Sequence, residues 1–308
     1  MSGEDRQDRA AYRLWGVALA LAGTISFAFR PIVVKLAYAA GAGAHLSATT
    51  LLFLRMTLSL PFFLGIAWLF RDGPKLERRD WLALAGLGLI GYYLASLLDF
   101  LGLQYIPAGL GRLIMFIYPT IVVLLSFLFL GKKPSVRELL ALAVTYSGIA
   151  LVLSDRLGGS PEQQRFLFGA LLVFASSMCY AIYLVASSAL VQRVGSGRFT
   201  AYTMIASTVP AVIQFAVLES RAALDLPGAV WGYAVLLSIA CTVLPVLFVA
   251  EALKRIGANH FALIGALGPV TTVLADFALL GGALGALQAV GAGLVISGVL
   301  LVSLRRRS

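Results

Sequence analysis

Ten long apolar segments limit what this chain can fold into more than any other feature of its sequence. They cover residues 14–38, 47–70, 81–103, 107–130, 137–154, 166–190, 199–218, 229–250, 260–280 and 286–304. An α-helix needs about 20 apolar residues to cross the hydrocarbon core of a bilayer. The sequence therefore predicts an all-α integral membrane protein with ten transmembrane helices.

The amino-acid composition excludes an ordinary water-soluble domain. Hydrophobic residues make up 60% of the chain and charged residues 12%, whereas a soluble domain carries about 25% charged residues. The mean hydropathy is +0.93. The net charge of +10 would suggest a nucleic-acid partner for a soluble protein. In a membrane protein we attribute it to topology and to contact with anionic membrane lipids, and we expect no nucleic acid.

The basic residues of the connecting segments predict the orientation of the chain. With the N-terminus in the cytoplasm, the cytoplasmic segments hold 17 lysine and arginine residues and the opposite side holds 3. Membrane proteins carry an excess of these residues on the cytoplasmic side. We therefore expect both termini to be cytoplasmic.

The second half of the chain repeats the first. With a shift of 150 positions, YSGIALVLSDR at 146–156 aligns with ISGVLLVSLRR at 296–306. Residues that break helices recur with the same shift: Pro119 and Pro269, Gly131 and Gly281. Each half holds five predicted helices, so the second half enters the membrane from the opposite side. Such inverted repeats are typical of secondary transporters that work by alternating access.

The repeat also predicts how the chain is divided. We expect a cytosolic tail at 1–13, a first five-helix repeat at 14–155 and a periplasmic linker at 156–165. A second five-helix repeat covers 166–304, and a basic cytosolic tail covers 305–308. The two repeats would share one central site, to which each contributes a copy of the proline-containing segment.

Two stretches of the sequence resemble the drug/metabolite transporter superfamily of EamA type. They are YPTIVVLLSFLFLGKKPSVRELLALAVTYSGIALVL at 118–153 and GPVTTVLADFALLGGALGALQAVGAGLVISGVLLV at 268–302. The resemblance extends over nearly the whole chain and implies ten helices in an inverted five-plus-five duplication. The family usually has a glutamate just after the LG of this pattern, where this chain has Lys132 and Gly282. Any role of that glutamate therefore does not carry over.

The resemblance implies a transporter rather than an enzyme. Within the family the chain is most similar to bacterial inner-membrane exporters of amino acids, including aromatic ones. This similarity implies export of small amphiphilic metabolites across the inner membrane. The superfamily also contains sugar-phosphate and nucleotide-sugar exchangers, and a flippase for lipid-linked substrates would share the same fold.

A membrane enzyme is the alternative from another functional class. An intramembrane metalloprotease needs an H-E-x-x-H helix, but the only histidines, His45 and His260, are far apart. The sequence has neither a G-x-S-x-G elbow nor a P-loop. We expect no cofactor, no bound metal and a monomer whose partners are a small-molecule substrate and lipid.

Charged residues within the apolar segments are the first candidates for the substrate site, because ionisable groups at membrane depth are costly. Arg30 and Arg55 lie deepest, and an unbalanced Arg30 would receive a substrate carboxylate through paired hydrogen bonds. Asp99 and Asp276 are the expected counter-ions of the arginines and further candidates for the site. Lys35 and Arg112 lie near segment ends, from which both side chains could reach the head groups.

Aromatic residues and prolines complete the predicted site. The candidate ring wall consists of Phe27, Tyr92, Tyr118, Tyr180 and Tyr183. Such a wall suits an amphiphilic substrate with an apolar side chain, although plain helix packing is the alternative. The candidates for gating or hinge positions are Pro31, Pro119, Pro269 and His260.

Overall fold

The computed structural model describes residues 3–131, 134–154, 160–265, 267–282 and 285–303, and the regular elements in these ranges are all helical. The α-helices of the first half are α1 Gly3–Ala40, α2 Ala48–Leu69, α3 Arg78–Gly88, α4 Ala95–Leu103, α5 Ala108–Met115, α6 Tyr118–Leu130 and α7 Val136–Ser154. Those of the second half are α8 Pro161–Val194, α9 Ser196–Leu218, α10 Gly228–Ser238, α11 Leu244–Gly265, α12 Leu267–Leu280 and α13 Ala286–Ser303. Two π-helical segments, Leu89–Leu94 and Ile239–Val243, join α3 to α4 and α10 to α11.

Seven helical stretches of the described residues are long and apolar enough to cross a membrane. They are Ala11–Ala40, Ala48–Leu69, Arg78–Leu103, Ala108–Phe129, Pro161–Ser187, Ser196–Leu218 and Gly228–Gly257. Shorter apolar helices cover Leu267–Leu280 and Ala289–Gly298, and α7 lies over the predicted span at 137–154. The chain is therefore a multi-pass helical membrane protein, while the count of ten spans stays a prediction.

Two predicted boundaries differ from the helix limits. Helix α1 begins at Gly3, so most of the predicted tail at 1–13 continues directly into the first span. Helix α8 begins at Pro161, inside the predicted linker. Its early start has a local cause, because Ser160 and Gln163 form a capping box that satisfies free backbone N–H groups of the first turn. Residues 155–159 and 304–308, in the predicted linker and tail, lie outside the described residues.

Helices α6 and α12 end in the same way. Gly131 follows α6 with φ of 64°, and Gly281 follows α12 with φ of 65°. This left-handed conformation disfavours residues with a β-carbon and commonly terminates helices at glycine. The sequence repeat therefore has a counterpart in local backbone geometry.

Helices α7 and α13 pack against each other through small residues. A β-carbon built on Gly291 would lie 2.6 Å from the carbonyl oxygen of Gly148, and one built on Gly148 would lie 2.7 Å from that of Gly291. Backbones that approach this closely are typical of helix pairs in membranes, where association depends on tight packing. The glycines thus allow the contact that joins α7 to α13.

Candidate functional site

A cavity of about 410 Å³ lies between the helices and is lined by residues of both halves of the chain. This volume falls within the range of about 300–1,000 Å³ that small-molecule sites occupy. Six of the residues predicted for the site or its hinges lie on its wall: Phe27, Arg30, Tyr92, Tyr118, Pro119 and Tyr180. The structure therefore brings these six residues together around one cavity, and their role in substrate binding stays a prediction.

A polar network crosses one side of the cavity. The Nη2 group of Arg30 donates to Ser96 Oγ at 3.2 Å and lies 3.4 Å from Asp99 Oδ2. Arg55 is buried and donates from Nη1 to Ser96 Oγ at 2.8 Å and from Nε to Thr242 Oγ1 at 3.0 Å. The expected pairing of Asp99 with an arginine is thus present, and Ser96 joins the two guanidinium groups.

Arg112 lies on the cavity wall instead of extending to the head groups. Its guanidinium carbon is 5.0 Å from the centroid of the Phe116 ring. Its Nε group is buried and has no hydrogen-bond partner among the described residues, and the same holds for the Nε group of Arg30. Two arginines of the cavity wall therefore each have a buried N–H donor without an acceptor among the described residues.

Four tyrosines form a continuous cluster at the cavity. The ring of Tyr180 packs edge-on against Tyr118 at 5.0 Å and stacks on Tyr183 at 5.8 Å, centroid to centroid. The hydroxyl groups of Tyr183 and Tyr92 are 3.1 Å apart. Tyr183 itself supports the wall from behind, because it contacts the lining tyrosines without lining the cavity. Four of the five predicted ring residues thus form one cluster, and the fifth, Phe27, also lines the cavity.

Both π-helical segments border the cavity. The first contributes Gly91 and Tyr92, and the second contributes Thr242. Their first residues, Leu89 and Ile239, are 150 positions apart in the sequence. A β-carbon on Gly91 would lie 2.4 Å from the Tyr183 ring, so glycine at this position allows α8 to approach. Short π-helical turns within α-helices are frequent at functional sites.

The three predicted hinge prolines occupy different positions in their helices. Pro31 lies inside α1, and Thr272 on α12 donates to the nearby carbonyl of Ala28 at 2.7 Å. Pro119 stands in the first turn of α6, where the predicted span at 107–130 is interrupted between α5 and α6. Proline fits the first turn because the backbone N–H it lacks has no partner there. Pro269 lies in α12, three positions after residue 266, which is outside the described residues. The hinge roles of these prolines stay predictions.

Asp276 does not pair with an arginine, contrary to the expectation from the sequence. Its Oδ2 atom accepts a hydrogen bond from the backbone N–H of Gly109 at 2.9 Å. Gly109 is the second residue of α5, where Pro107 at the cap position provides no side-chain hydrogen bond. A carboxylate suits this position because helix N-termini have free N–H groups and partial positive charge. Asp276 thus fixes the start of the helix that carries Arg112.

His260 lies apart from the cavity wall. Its side chain is exposed, and its Nδ1 atom is 3.0 Å from the carbonyl oxygen of Ile256. This contact stays within α11, so the structure gives His260 no link to the lining residues.

We expect Asp276→Ala to lower the free energy of unfolding by about 1 kcal/mol, as the loss of a helix cap does. The substitution leaves the N–H group of Gly109 without its acceptor. Asp276→Asn keeps an acceptor oxygen and is expected to lose less. Thermal unfolding of the purified variants in detergent measures the difference. Equal melting temperatures for Asp276→Ala and the unchanged protein would show that the cap contributes nothing.

Comparison with known proteins decides the family. A family model described as "EamA-like transporter family" matches residues 14–154 and, a second time, residues 167–304. The chain belongs to this family. The resemblance inferred from the two half-closing stretches is therefore confirmed.

Several proteins are similar to this EamA-like transporter over most of its length. The "Uncharacterized transporter YcbK" of Bacillus subtilis is 32% identical over 90% of this chain and 89% of its own. The "Probable terminal-alkyne amino-acid exporter" of Streptantibioticus cattleyicolor is 28% identical over 81% of this chain and 84% of its own. These relatives carry names of transporters and not of enzymes.

A solved crystal structure shares the fold of this EamA-like transporter. It superposes with a TM-score of 0.61 at 18% sequence identity and covers 96% of this chain and 98% of its own. At this identity the likeness concerns the fold alone. The helical arrangement is thus one that another chain also adopts.

Proposed function

We propose that this EamA-like transporter exports small amphiphilic metabolites, foremost amino acids with aromatic or apolar side chains, by alternating access. The observation that carries the proposal is a cavity lined by both arginines and tyrosines. A guanidinium group binds a carboxylate through two parallel hydrogen bonds. Aromatic rings bury an apolar side chain. The carboxylate of such an amino acid would thus contact the arginines, and its side chain would contact the tyrosines.

The proposed architecture is ten membrane helices in two inverted five-helix repeats, with both termini in the cytoplasm. Three observations support it. The family model matches each half separately. The left-handed glycines Gly131 and Gly281, like the two π-helical segments, are separated by the repeat distance. Helix α2 packs against α9 and α7 against α13, which are the pairs that exchange places under a two-fold axis.

We further propose that the protein acts as a monomer in a bacterial inner membrane. Both halves of one chain line the cavity, so a second copy is not needed to complete it. The relatives named above include proteins from bacteria. The name of the Streptantibioticus protein adds support for amino-acid export.

Exchange of sugar phosphates is the second candidate function. It is favoured by one observation, the presence of Arg30, Arg55 and Arg112 in the lining of one cavity. Arginine binds phosphate with the same paired geometry with which it binds carboxylate. The tyrosine cluster favours the amino-acid proposal, because a sugar phosphate has little apolar surface to bury.

Counterflow into proteoliposomes tests the proposed function. Vesicles loaded with unlabelled substrate are expected to accumulate labelled aromatic or aliphatic amino acids or their close derivatives, and not sugar phosphates or prenyl-phosphate lipids. Val246 lines the cavity, whereas its neighbour Leu247 is exposed on the outer surface of α11. Val246→Trp should therefore abolish counterflow, while Leu247→Trp should leave it unchanged. Accumulation of sugar phosphates alone, or none at all, would refute the proposal.

A further inference from the structure

The charges around the cavity are unequal. Arg30, Arg55 and Arg112 line it, and its described lining residues include no aspartate or glutamate. The closest acidic partner is Asp99, which stands behind Arg30 and pairs with it. Three positive charges against one negative charge leave an excess of two. Such an excess within a membrane protein is costly unless a counter-ion arrives.

The carboxylate and hydroxyl acceptors within the arginine network are already engaged. Asp99 is 9% exposed, and its Oδ2 atom faces Arg30. Ser96 Oγ accepts hydrogen bonds from both Arg30 and Arg55. Thr242 Oγ1 accepts from Arg55 and donates its own proton to the carbonyl of Leu237. An ammonium group would therefore find no free carboxylate among the described lining residues.

The donors beside the cavity, in contrast, are incompletely used. The Nε groups of Arg30 and Arg112 are buried and lack partners among the described residues. A buried donor without an acceptor is unfavourable, and charged donors more so. No acceptor among the described residues thus offsets these parts of the two guanidinium charges, and an anion bound in the cavity would lower the cost of burying them.

We propose that the cavity binds its substrate as a net organic anion in preference to a zwitterion. The class that fits is an aromatic or apolar amino-acid derivative whose ammonium group is absent or masked, such as an N-acyl amino acid or a 2-oxo acid. Its carboxylate binds the arginines and its apolar part packs against Tyr118 and Tyr180. The inference rests on the proposed function, because it refines the substrate of the same cavity.

Four probes with one benzyl side chain separate the charge states. They are phenylalanine, N-acetylphenylalanine, 3-phenyl-2-oxopropanoate and phenylalanine amide, tested as competitors and as labelled substrates in counterflow. We expect the two anions to half-saturate transport at concentrations at least about tenfold lower than phenylalanine, which corresponds to about 1.4 kcal/mol. The cationic amide is expected not to compete.

Phenylalanine transported as well as or better than both anions would overturn the inference while leaving the proposed function intact. Failure of every amino acid and derivative to move would instead refute the proposed function. The two failures are therefore distinguishable in one set of vesicles.

A selectivity variant and a binding measurement complete the test. Arg112→Gln removes one positive charge, so the preference for N-acetylphenylalanine over phenylalanine should fall by about tenfold, whereas Arg112→Lys should retain most of it. With the unchanged protein in detergent, N-acetylphenylalanine should raise the melting temperature at concentrations where phenylalanine does not. Equal stabilisation by both ligands, or an unaltered preference in Arg112→Gln, would contradict the inference.

Discussion

Replacing Arg112 by glutamine is expected to reduce transport of carboxylate substrates by about tenfold to a hundredfold. Hydrogen bonds to charged groups contribute about 1.5–3 kcal/mol each, and every 1.4 kcal/mol is about a factor of ten. Because Arg112 Nε has no partner among the described residues, its removal should not disrupt a pre-existing ion pair. In Arg112→Gln the initial rate of counterflow should therefore fall, while the melting temperature of the same preparation should stay unchanged.

Two comparisons sharpen this prediction. The matched substrate is the neutral carboxamide of N-acetylphenylalanine, whose transport should change little in Arg112→Gln. The matched variant is Arg55→Gln, which removes the hydrogen bonds that Arg55 makes to Ser96 and Thr242 and should lower stability as well as transport. Equal loss for carboxylate and carboxamide, or a folding defect as large as that of Arg55→Gln, would assign Arg112 a structural role.

Replacing Gly291 by leucine is expected to destabilise the fold by at least about 3 kcal/mol, the upper range for overpacking. Its β-carbon alone would lie 2.6 Å from the carbonyl oxygen of Gly148 and 2.6 Å from a methyl group of Val152. A backbone oxygen cannot move aside as a flexible side chain can, so α7 and α13 would have to separate. Size-exclusion chromatography of the fluorescently tagged variant measures the yield of monodisperse protein, which should fall severalfold.

Gly293 on the same helix provides the control. Nothing lies within 4 Å of a β-carbon at this exposed position. Gly293→Leu should therefore fold as well as the unchanged protein, since leucine also favours a helix over glycine by about 1 kcal/mol. Equal yields for the two leucine variants would show that the close contact of α7 and α13 does not hold the bundle together.

The sequence predicted those features that depend on local composition or on the repeat. Apolar segment length predicted a helical membrane protein, and the seven long apolar helices confirm it. The signal is local because lipid requires each span to satisfy its own backbone hydrogen bonds. The aromatic residues Phe27 and Tyr180 were predicted for the ring wall of the site, and both line the cavity. Position and residue type were sufficient for these features, since they do not depend on a distant part of the chain.

The features that the sequence did not predict depend on contacts between distant segments. Arg112 was placed near a span end, but α5 is a separate short helix whose start is fixed by Asp276, 167 positions away. The role of Asp276 as a helix cap could not be read from a single carboxylate in an apolar segment. Likewise, the contribution of Ser96 arises only where α1, α2 and α4 meet. Tertiary packing thus determined which charges face the cavity.

The π-helical segments have a mechanical consequence. A π-helical turn holds roughly one residue more than an α-helical turn, because its hydrogen bonds join residues five apart. The wide turn can shift along the helix if the backbone hydrogen bonds next to it are exchanged one at a time. Migration by one position would rotate the side chains it passes by about 100°, the angle per residue of an α-helix, while both ends of the helix stay anchored. Tyr92 and Thr242 stand on these segments. A ring or hydroxyl could thus swing out of the pathway without any helix unfolding.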